Sequence, residues 1–247
     1  MTANKPEHIL LLTWLILTGV IIFALIVAWH EQVLLQLYLS DKSKISLFIT
    51  LIYFLVTIHC AKRIFVMSTQ LSTSTQVESI IRGQDNLVLS IMEGEVRING
   101  KTVLPDCIMT EYLRDLFYES SNVKKNDHNS GKNTELIDVY ESRLKGPQEI
   151  GWFVSDMMLK LGLLGTIIGF IFMLGSVATI SDFDVNTMQE ILRHMSTGMG
   201  TALYTTLAGL VASILATMQY HMIDRGADEL IEMTRHLTHV HVLSKIN

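Results

Sequence analysis

Four long segments of this 247-residue chain contain no Asp, Glu, Lys or Arg. A membrane-spanning helix needs about 20 predominantly apolar residues, with a lower limit of about 17. The length of the second segment is therefore marginal for a spanning helix, whereas the other three segments are long enough to span the membrane. We predict four spanning helices, and a composition that is 49% hydrophobic and 17% charged agrees with a membrane protein. The four segments are residues 9–29, 45–61, 161–180 and 195–220.

Positive charge is distributed unevenly around these segments. Lys62 and Arg63 follow the second span, whereas residues 181–194, between the third and fourth spans, carry three acidic residues and one arginine. Short loops rich in Lys and Arg generally remain on the cytoplasmic side of a membrane. We therefore expect residues 62–150 and both termini to be cytoplasmic. Two lysines before the second span oppose this orientation.

The sequence of the expected cytoplasmic segment predicts mainly helix. Residues 64–82 continue the second span as far as Gly83, a residue type that commonly ends helices. Pro105 and Asp106 then open an amphipathic helix to about Glu119, with apolar residues on one side. These apolar residues are Ile108, Met109, Tyr112, Leu113, Leu116 and Phe117.

Three further stretches of this segment are less regular. Residues 95–104 alternate around Asn99-Gly100, which is typical of a β-hairpin, and a turn between two helices is the alternative. Residues 120–133 are polar, and we predict a solvated loop. Thr134 begins a further helix to Lys145, which Gly146-Pro147 is expected to break before the third span.

The sequence contains none of the common patterns of a soluble enzyme. We find no P-loop, no nucleophile elbow, no paired catalytic carboxylates and no metal-ligand spacing. The expected class is therefore a non-enzyme without cofactor or bound metal and without a nucleic-acid partner. Contacts with membrane lipid and with a cytoplasmic or cell-envelope protein are expected.

Two motifs put glycine and threonine inside the third and fourth predicted spans. Gly162–Gly169 reads GLLGTIIG, and Ala202–Leu210 reads ALYTTLAGL. Small residues at this spacing let two helices approach closely in a bilayer. Threonine hydroxyls there need a partner helix or a wet path, because lipid offers no hydrogen bonds. The residues that we assign to packing of these pore helices are Gly162, Gly165, Gly169, Ala202, Gly209 and Ser213.

The two motifs together resemble the signatures of the MotA/TolQ/ExbB family of ion-driven membrane motor (stator) subunits, over about residues 151–220. The resemblance implies a homopentameric ring around two copies of a single-span, MotB/TolR/ExbD-like partner whose Asp carries H⁺ or Na⁺. It also implies that Thr166 and Thr206 face that carboxylate. Thr205 and Thr201 lie beside them on the fourth span, and we assign both to the ion pathway as well.

The chain departs from parts of this family's pattern. Thr201 occupies the position where ExbB-like members have Glu, and Ile214-Leu215 stands where they have Ile-Pro. Four spans with a large segment between the second and third are similar to the MotA plan. No predicted span carries a carboxylate, and His59 is the one ionisable side chain at depth, so the driving carboxylate is expected to come from the partner.

The expected fold is thus all-α, with four transmembrane helices and a helical cytoplasmic domain. The expected function is an ion-conducting motor subunit of the bacterial inner membrane that converts ion motive force into mechanical work. The alternative is a tetraspan scaffold whose glycines serve packing alone and which conducts no ions. The predicted domains are an N-terminal hairpin of two spans (1–63), the cytoplasmic domain (64–150), the channel helices (151–223) and a cytoplasmic tail (224–247).

Overall fold

The computed structural model of the protein describes residues 9–83, 89–92, 95–98, 102–123, 132–177 and 185–242. Helix predominates in these residues. The helices are α1 (Ile9–His30), α2 (Val33–Ser40), α3 (Ile45–Arg82), α4 (Ile108–Val123), α5 (Lys132–Val177) and α6 (Val185–Leu237), followed by a π-helical turn at Thr238–Val242. The strands are β1 (Leu89–Met92), β2 (Glu95–Ile98) and β3 (Thr102–Val103).

Four of the helices, α1, α3, α5 and α6, are long and apolar enough to cross a membrane. They contain three of the predicted segments whole and the third segment, 161–180, as far as Val177, so the prediction of a multi-pass membrane protein built from helices is confirmed. The last of them, α6, has 53 residues. At a rise of about 1.5 Å per residue it is about 80 Å long, against about 30 Å for the hydrocarbon core of a bilayer. A large part of α6 therefore extends beyond any span.

The chain divides into two compact units. The spanning unit consists of Trp14–Ala61 and Glu149–His221, and the helix–sheet unit consists of Met1–Thr13, Lys62–Gln148 and Met222–Asn247. Helices α3, α5 and α6 contribute residues to both units. The finer domain boundaries expected from the sequence stay a prediction.

In the helix–sheet unit, the three strands form an antiparallel sheet in the order β1-β2-β3. Strand β2 pairs with β3 so that Arg97 faces Val103 and Ile98 faces Thr102. This is the hairpin alternative for residues 95–104, although Asn99-Gly100 itself lies outside the described residues. A small sheet therefore accompanies the helices that we expected in this segment.

The core of this unit is made by residues of several elements. The amphipathic helix expected after Pro105 is confirmed as α4, whose Met109 and Leu113 are fully buried. They pack with Val77 and Ile81 near the end of α3, where Gly83 follows the last helical residue as expected. The other members of this cluster are Val96, Leu104, Cys107 and Leu237.

The expected helix break at Gly146-Pro147 is wrong, because α5 runs without interruption through both residues. Proline has no N–H, so the carbonyl of Arg143 loses its usual helical partner. The next carbonyl, that of Leu144, accepts hydrogen bonds from Nη2 of Arg63 at 2.9 Å and from Nε2 of Gln148 at 3.3 Å. Side chains thus bind the backbone of the turn that the proline weakens, which allows the helix to continue.

The boundaries expected for the solvated loop at residues 120–133 are wrong, because helix occupies both ends of that range. Helix α4 continues to Val123, and α5 begins at Lys132. The central part of the expected loop, residues 124–131, lies outside the described residues. On α5, Nζ of Lys145 contacts Oε1 of Glu141 and Oδ1 of Asp228, both at 2.7 Å, and the second contact joins α5 to α6.

The spanning unit contains a short helix that the sequence did not indicate. Helix α2 begins after Gln32, whose φ of 59° is in the left-handed region. It ends at Ser40, and the next residue, Asp41, is only 4% exposed. Oδ1 of Asp41 accepts the backbone N–H of Ser43 at 2.9 Å, and Oδ2 accepts that of Ser46 at 2.7 Å. Asp41 therefore caps the start of α3.

Burial of Asp41 opposes its ionisation, but the hydrogen bonds from Ser43 and Ser46 outweigh that effect and hold its pKa below the usual value. A carboxyl group with a lowered pKa stabilises the folded state above its unfolded pKa. This contribution disappears as the pH falls through the folded pKa. The Asp41 cap is therefore expected to act at neutral pH and to be lost in acid.

We predict that Asp41→Asn lowers the stability of the folded protein by about 1 kcal/mol at pH 7, because asparagine loses the negative charge that the start of a helix favours and keeps only one of the two acceptor oxygens. The measurement is thermal unfolding in mild detergent. The difference from the unchanged protein should shrink below about pH 4, where the carboxyl group is protonated in the unfolded chain. Glu31→Gln, at an exposed position, serves as the control. A pH-independent difference would contradict this role for the charge.

Candidate functional site

The spanning parts of α5 and α6 touch through their glycines. A Cβ atom built on Gly209 would lie 2.7 Å from the Cα of Gly162 and 2.8 Å from the carbonyl oxygen of Met158. A Cβ on Gly162 would lie 3.1 Å from the Cα of Gly209. The two backbones are therefore in direct contact, and a larger residue at Gly209 has no room without a shift of one helix.

The same contact continues along both helices. A Cβ on Gly165 would overlap the side chain of Thr205, and one on Gly169 would lie 2.6 Å from the backbone nitrogen of Ala202. Beyond these, a Cβ on Gly198 would lie 2.8 Å from that of Met173. The structure thus brings the glycines of the first motif against the small residues of the second, within one chain. Close approach of this kind favours van der Waals packing between helices in lipid.

A cluster of hydroxyl groups continues the α5–α6 interface beyond Gly209. Oγ of Ser155 donates to the carbonyl of Ser213 at 3.0 Å and lies 2.8 Å from Oγ1 of Thr217. Ser213 was expected in the packing stripe, whereas Ser155 and Thr217 were not singled out. The sequence did contain a signal for them. Ser155 lies four residues after Gly151, and Thr217 lies four residues after Ser213, so each pair shares one face of its helix.

Thr201 and Thr205, two of the four predicted pathway threonines, are completely buried. Thr205 Oγ1 donates within α6, to the carbonyls of Thr201 at 2.9 Å and Ala202 at 3.0 Å. Thr201 Oγ1 lies 2.8 Å from the carbonyl of Ser40, at the end of α2, and 3.1 Å from that of Thr197. The Thr201 hydroxyl group therefore joins α6 to the end of α2, whereas the Thr205 hydroxyl group is satisfied within α6.

Thr166 and Thr206 are only partly buried. Thr206 Oγ1 donates across the helix contact to the carbonyl of Gly162 at 3.2 Å and within α6 to that of Ala202 at 3.0 Å. Thr166 Oγ1 donates to the carbonyl of Leu163. A hydroxyl group has one hydrogen and two acceptor lone pairs, so both oxygens can still accept a proton-bearing group or bind a cation.

A second polar cluster in the spanning unit was missed by the sequence analysis, although one of its members, His59, was named there. Nδ1 of His59 lies 2.9 Å from the hydroxyl group of Tyr220, and Nε2 of Gln219 donates to the hydroxyl group of Tyr53 at 3.2 Å. A Cβ on Gly151 would overlap the ring of Tyr220. Gln219 is fully buried. The sequence signal for this cluster was Gln219, because a polar side chain inside a segment without charged residues needs a hydrogen-bond partner.

The described residues hold no cluster of three or more His, Cys, Asp or Glu side chains that is suited to bind a metal ion. Both cysteines, Cys60 and Cys107, are buried and free. The polar side chains of the four uncharged segments are hydroxyl groups, the amide of Gln219, the imidazole of His59, the thiol of Cys60 and tryptophan indoles. Oxygen groups of this kind suit the passage or transient binding of H⁺ or Na⁺.

We predict that Gly165→Ala destabilises the protein by about 1–3 kcal/mol, as overpacking of a tight contact does. The added methyl group would overlap Thr205 and force the two helices apart. The control is Gly200→Ala, on the facing helix α6, where no described atom outside the local helix lies within 4 Å of the new methyl group. The control should be neutral or stabilising by up to about 1 kcal/mol. Equal melting temperatures for both variants in detergent would contradict the contact.

Comparison with known proteins adds one match to this geometry. The model of the MotA/TolQ/ExbB proton channel family matches residues 109–236, which is more than half of the chain and includes all of α5 and all but one residue each of α4 and α6. The match extends beyond the 151–220 stretch in which the motifs were found. No curated protein and no solved structure matches the chain. The two glycine-rich spanning helices and this match together show that the chain belongs to the MotA/TolQ/ExbB proton channel family.

Proposed function

We propose that the chain is the ring-forming subunit of an ion-driven motor, and that five copies surround two copies of a single-span partner that bears an Asp. The observation that carries this proposal is the contact of α5 with α6, which keeps the hydroxyl groups of Thr166 and Thr206 partly exposed. These hydroxyls lie in stretches of helix without any charged residue. A path for ions needs a group that changes charge, so the carboxylate has to be supplied by another chain.

The burial of the four threonines supports different roles for them. Thr166 and Thr206 retain acceptor lone pairs at partly exposed positions, and they are our candidates for contact with the partner's carboxyl group. Thr201 and Thr205 are fully buried, and their hydroxyls bind backbone carbonyls of the same chain. We assign them to the wall that holds the first two threonines in position along the ion pathway.

The proposed mechanism uses the charge of one transferred ion. Moving one elementary charge through 100 mV releases about 2.3 kcal/mol. Binding of H⁺ or Na⁺ neutralises the partner's carboxylate and weakens its attraction to the threonine wall of one subunit. The ring then steps to the next subunit. Because five subunits surround two carboxylates, the two carboxylates cannot occupy equivalent positions, and they act in alternation.

We also propose a bacterial inner membrane location with both termini on the cytoplasmic side. The support is the concentration of Lys and Arg in residues 62–150 and after the fourth span, in agreement with the positive-inside rule. The helix–sheet unit is then the part available to a cytoplasmic partner.

A non-conducting scaffold is the second candidate, and one observation favours it. The hydroxyl groups of Thr201 and Thr205 are satisfied within the chain, as they would be if the small residues served packing alone. The two functions differ in ion flux. The following experiment distinguishes the motor from the scaffold, because a scaffold does not need a titrating carboxylate.

We predict that liposomes containing this chain alone remain tight to H⁺ and Na⁺. Flux should appear when the single-span partner is co-reconstituted, and it should disappear when the membrane Asp of that partner is changed to Asn, which has a similar size but no titrating charge. A dye that reports an imposed pH or sodium gradient gives the measurement. Saturable flux from this chain alone contradicts the two-subunit mechanism, and absence of flux with the partner present supports the scaffold.

We predict that Thr206→Val and Thr166→Val each reduce this flux at least tenfold while the partner still co-purifies. Valine keeps the shape of threonine but removes the oxygen. Thr206→Ser should restore most of the flux, because it returns the hydroxyl group. Thr197→Val is the control on the same helix, since the Thr197 hydroxyl bonds to the carbonyl of Arg193 and lies outside the proposed pathway. Normal flux in both valine variants would assign these threonines to packing.

A further inference from the structure

The helix–sheet unit contains a cavity of about 370 Å³ between α3, α5 and the start of α4. This volume lies in the range of small-molecule sites, about 300–1,000 Å³. Its charged lining consists of Arg63, Arg143, Asp106 and Glu111. Gln70 adds an amide to the lining. Its Oε1 accepts a hydrogen bond from the backbone N–H of Ile108 at 3.0 Å, which connects the first turn of α4 to α3.

Arg63 carries a donor that is not used within the described part of the chain. Its Nη2 binds the carbonyl of Leu144, but its Nε is buried and has no hydrogen-bond acceptor among the described residues. A buried, unpaired donor has lost its hydrogen bonds to water without replacement, and this cost is larger when the group is charged. An acceptor supplied by a ligand, above all an anionic oxygen, would remove this cost.

The charges around the cavity select the type of ligand. Nη1 of Arg143 already pairs with Oε2 of Glu111 at 2.9 Å, and Asp106 is exposed. The net charge of the two guanidinium groups and the two carboxylates is zero. A purely anionic ligand would meet both carboxylates, whereas a ligand with a phosphate and an ammonium group matches Arg63 on one side and the acidic residues on the other.

The position of the cavity along α3 selects the source of that ligand. Arg63 comes two residues after the uncharged segment 45–61. Apolar exposure continues past it, because Phe65 is 64% and Val66 is 50% exposed, and Val66 lines the cavity. A basic residue beside exposed apolar side chains at the end of a span is the usual setting of a lipid headgroup.

We propose that this cavity binds the headgroup of a zwitterionic phospholipid, with its phosphate on Arg63 and its ammonium group toward Glu111 and Asp106. The acyl chains run along the apolar surface that includes Val66. This site does not depend on ion flux, because lipid binding is measurable on the chain without its partner.

The test is a titration of the delipidated, full-length protein with phosphatidylethanolamine in mild detergent, with native mass spectrometry as the readout. We expect one tightly held lipid per chain. Arg63→Gln should weaken binding about tenfold or more, the effect of losing a hydrogen bond to a charged group. Lys62→Gln removes the same charge one residue away, outside the cavity, and should bind as the unchanged protein does. Equal binding by Arg63→Gln and the unchanged protein overturns the site.

A second pair of variants covers the possibility that Arg63→Gln fails to fold, since Arg63 also supports the turn at Leu144. Val66→Trp fills the mouth of the cavity from an exposed position and should reduce lipid binding, whereas Phe65→Trp, which does not line the cavity, should not. Unchanged binding by Val66→Trp overturns the proposal.

Two further ligands decide the chemistry of the site. Phosphatidylglycerol, an anionic lipid, should bind more weakly than phosphatidylethanolamine, and equal or tighter binding overturns the zwitterionic assignment. Soluble phosphoethanolamine and inorganic phosphate should not displace the lipid at millimolar concentration. Displacement by either of them would overturn the assignment to a lipid and indicate a site for a free phosphate compound.

Discussion

The close approach of α5 and α6 is the constraint on which the rest of the spanning unit depends. Two backbones in contact at Gly162 and Gly209 leave no space for side chains between them. Every neighbouring residue must therefore be small or turn its polar atoms toward a backbone carbonyl. The hydroxyl groups of Thr205 and Thr206 do the latter. In lipid, where association between helices has no hydrophobic driving force, this contact supplies the packing that holds the pair together.

The contact also explains why the polar groups of the span are arranged as they are. Along the interface, hydroxyls alternate with glycines until the cluster of Ser155, Ser213 and Thr217. Further along α6, Gln219 and Tyr220 bind side chains of α3, and the ring of Tyr220 packs on Gly151. Polar side chains thus link three spanning helices without any carboxylate, which agrees with the proposal that a partner supplies the titrating group.

Local rules and tertiary structure disagree at Pro147. A proline preceded by glycine generally ends a helix, and the sequence alone therefore predicted two helices. In the fold, Arg63 of α3 donates to the carbonyl of Leu144 and supports the weakened turn. The arginine that supports this turn also lines the proposed headgroup cavity. Arg63 therefore has two roles: it supports the uninterrupted helix α5, and it contacts the headgroup in the proposed site.

The sequence alone determined the number and position of the spanning helices, because a bilayer requires a minimum apolar length whatever the neighbours are. It also identified the glycine faces and, through the two motifs, the family. It left open the hairpin at residues 95–104, and it did not indicate α2 or the Asp41 cap, since an eight-residue helix lacks a clear period. Only the tertiary structure decided which of the four threonines are fully buried and which are partly exposed. Neighbouring threonines such as Thr205 and Thr206 look alike in sequence, and their exposure depends on the position of the opposing helix.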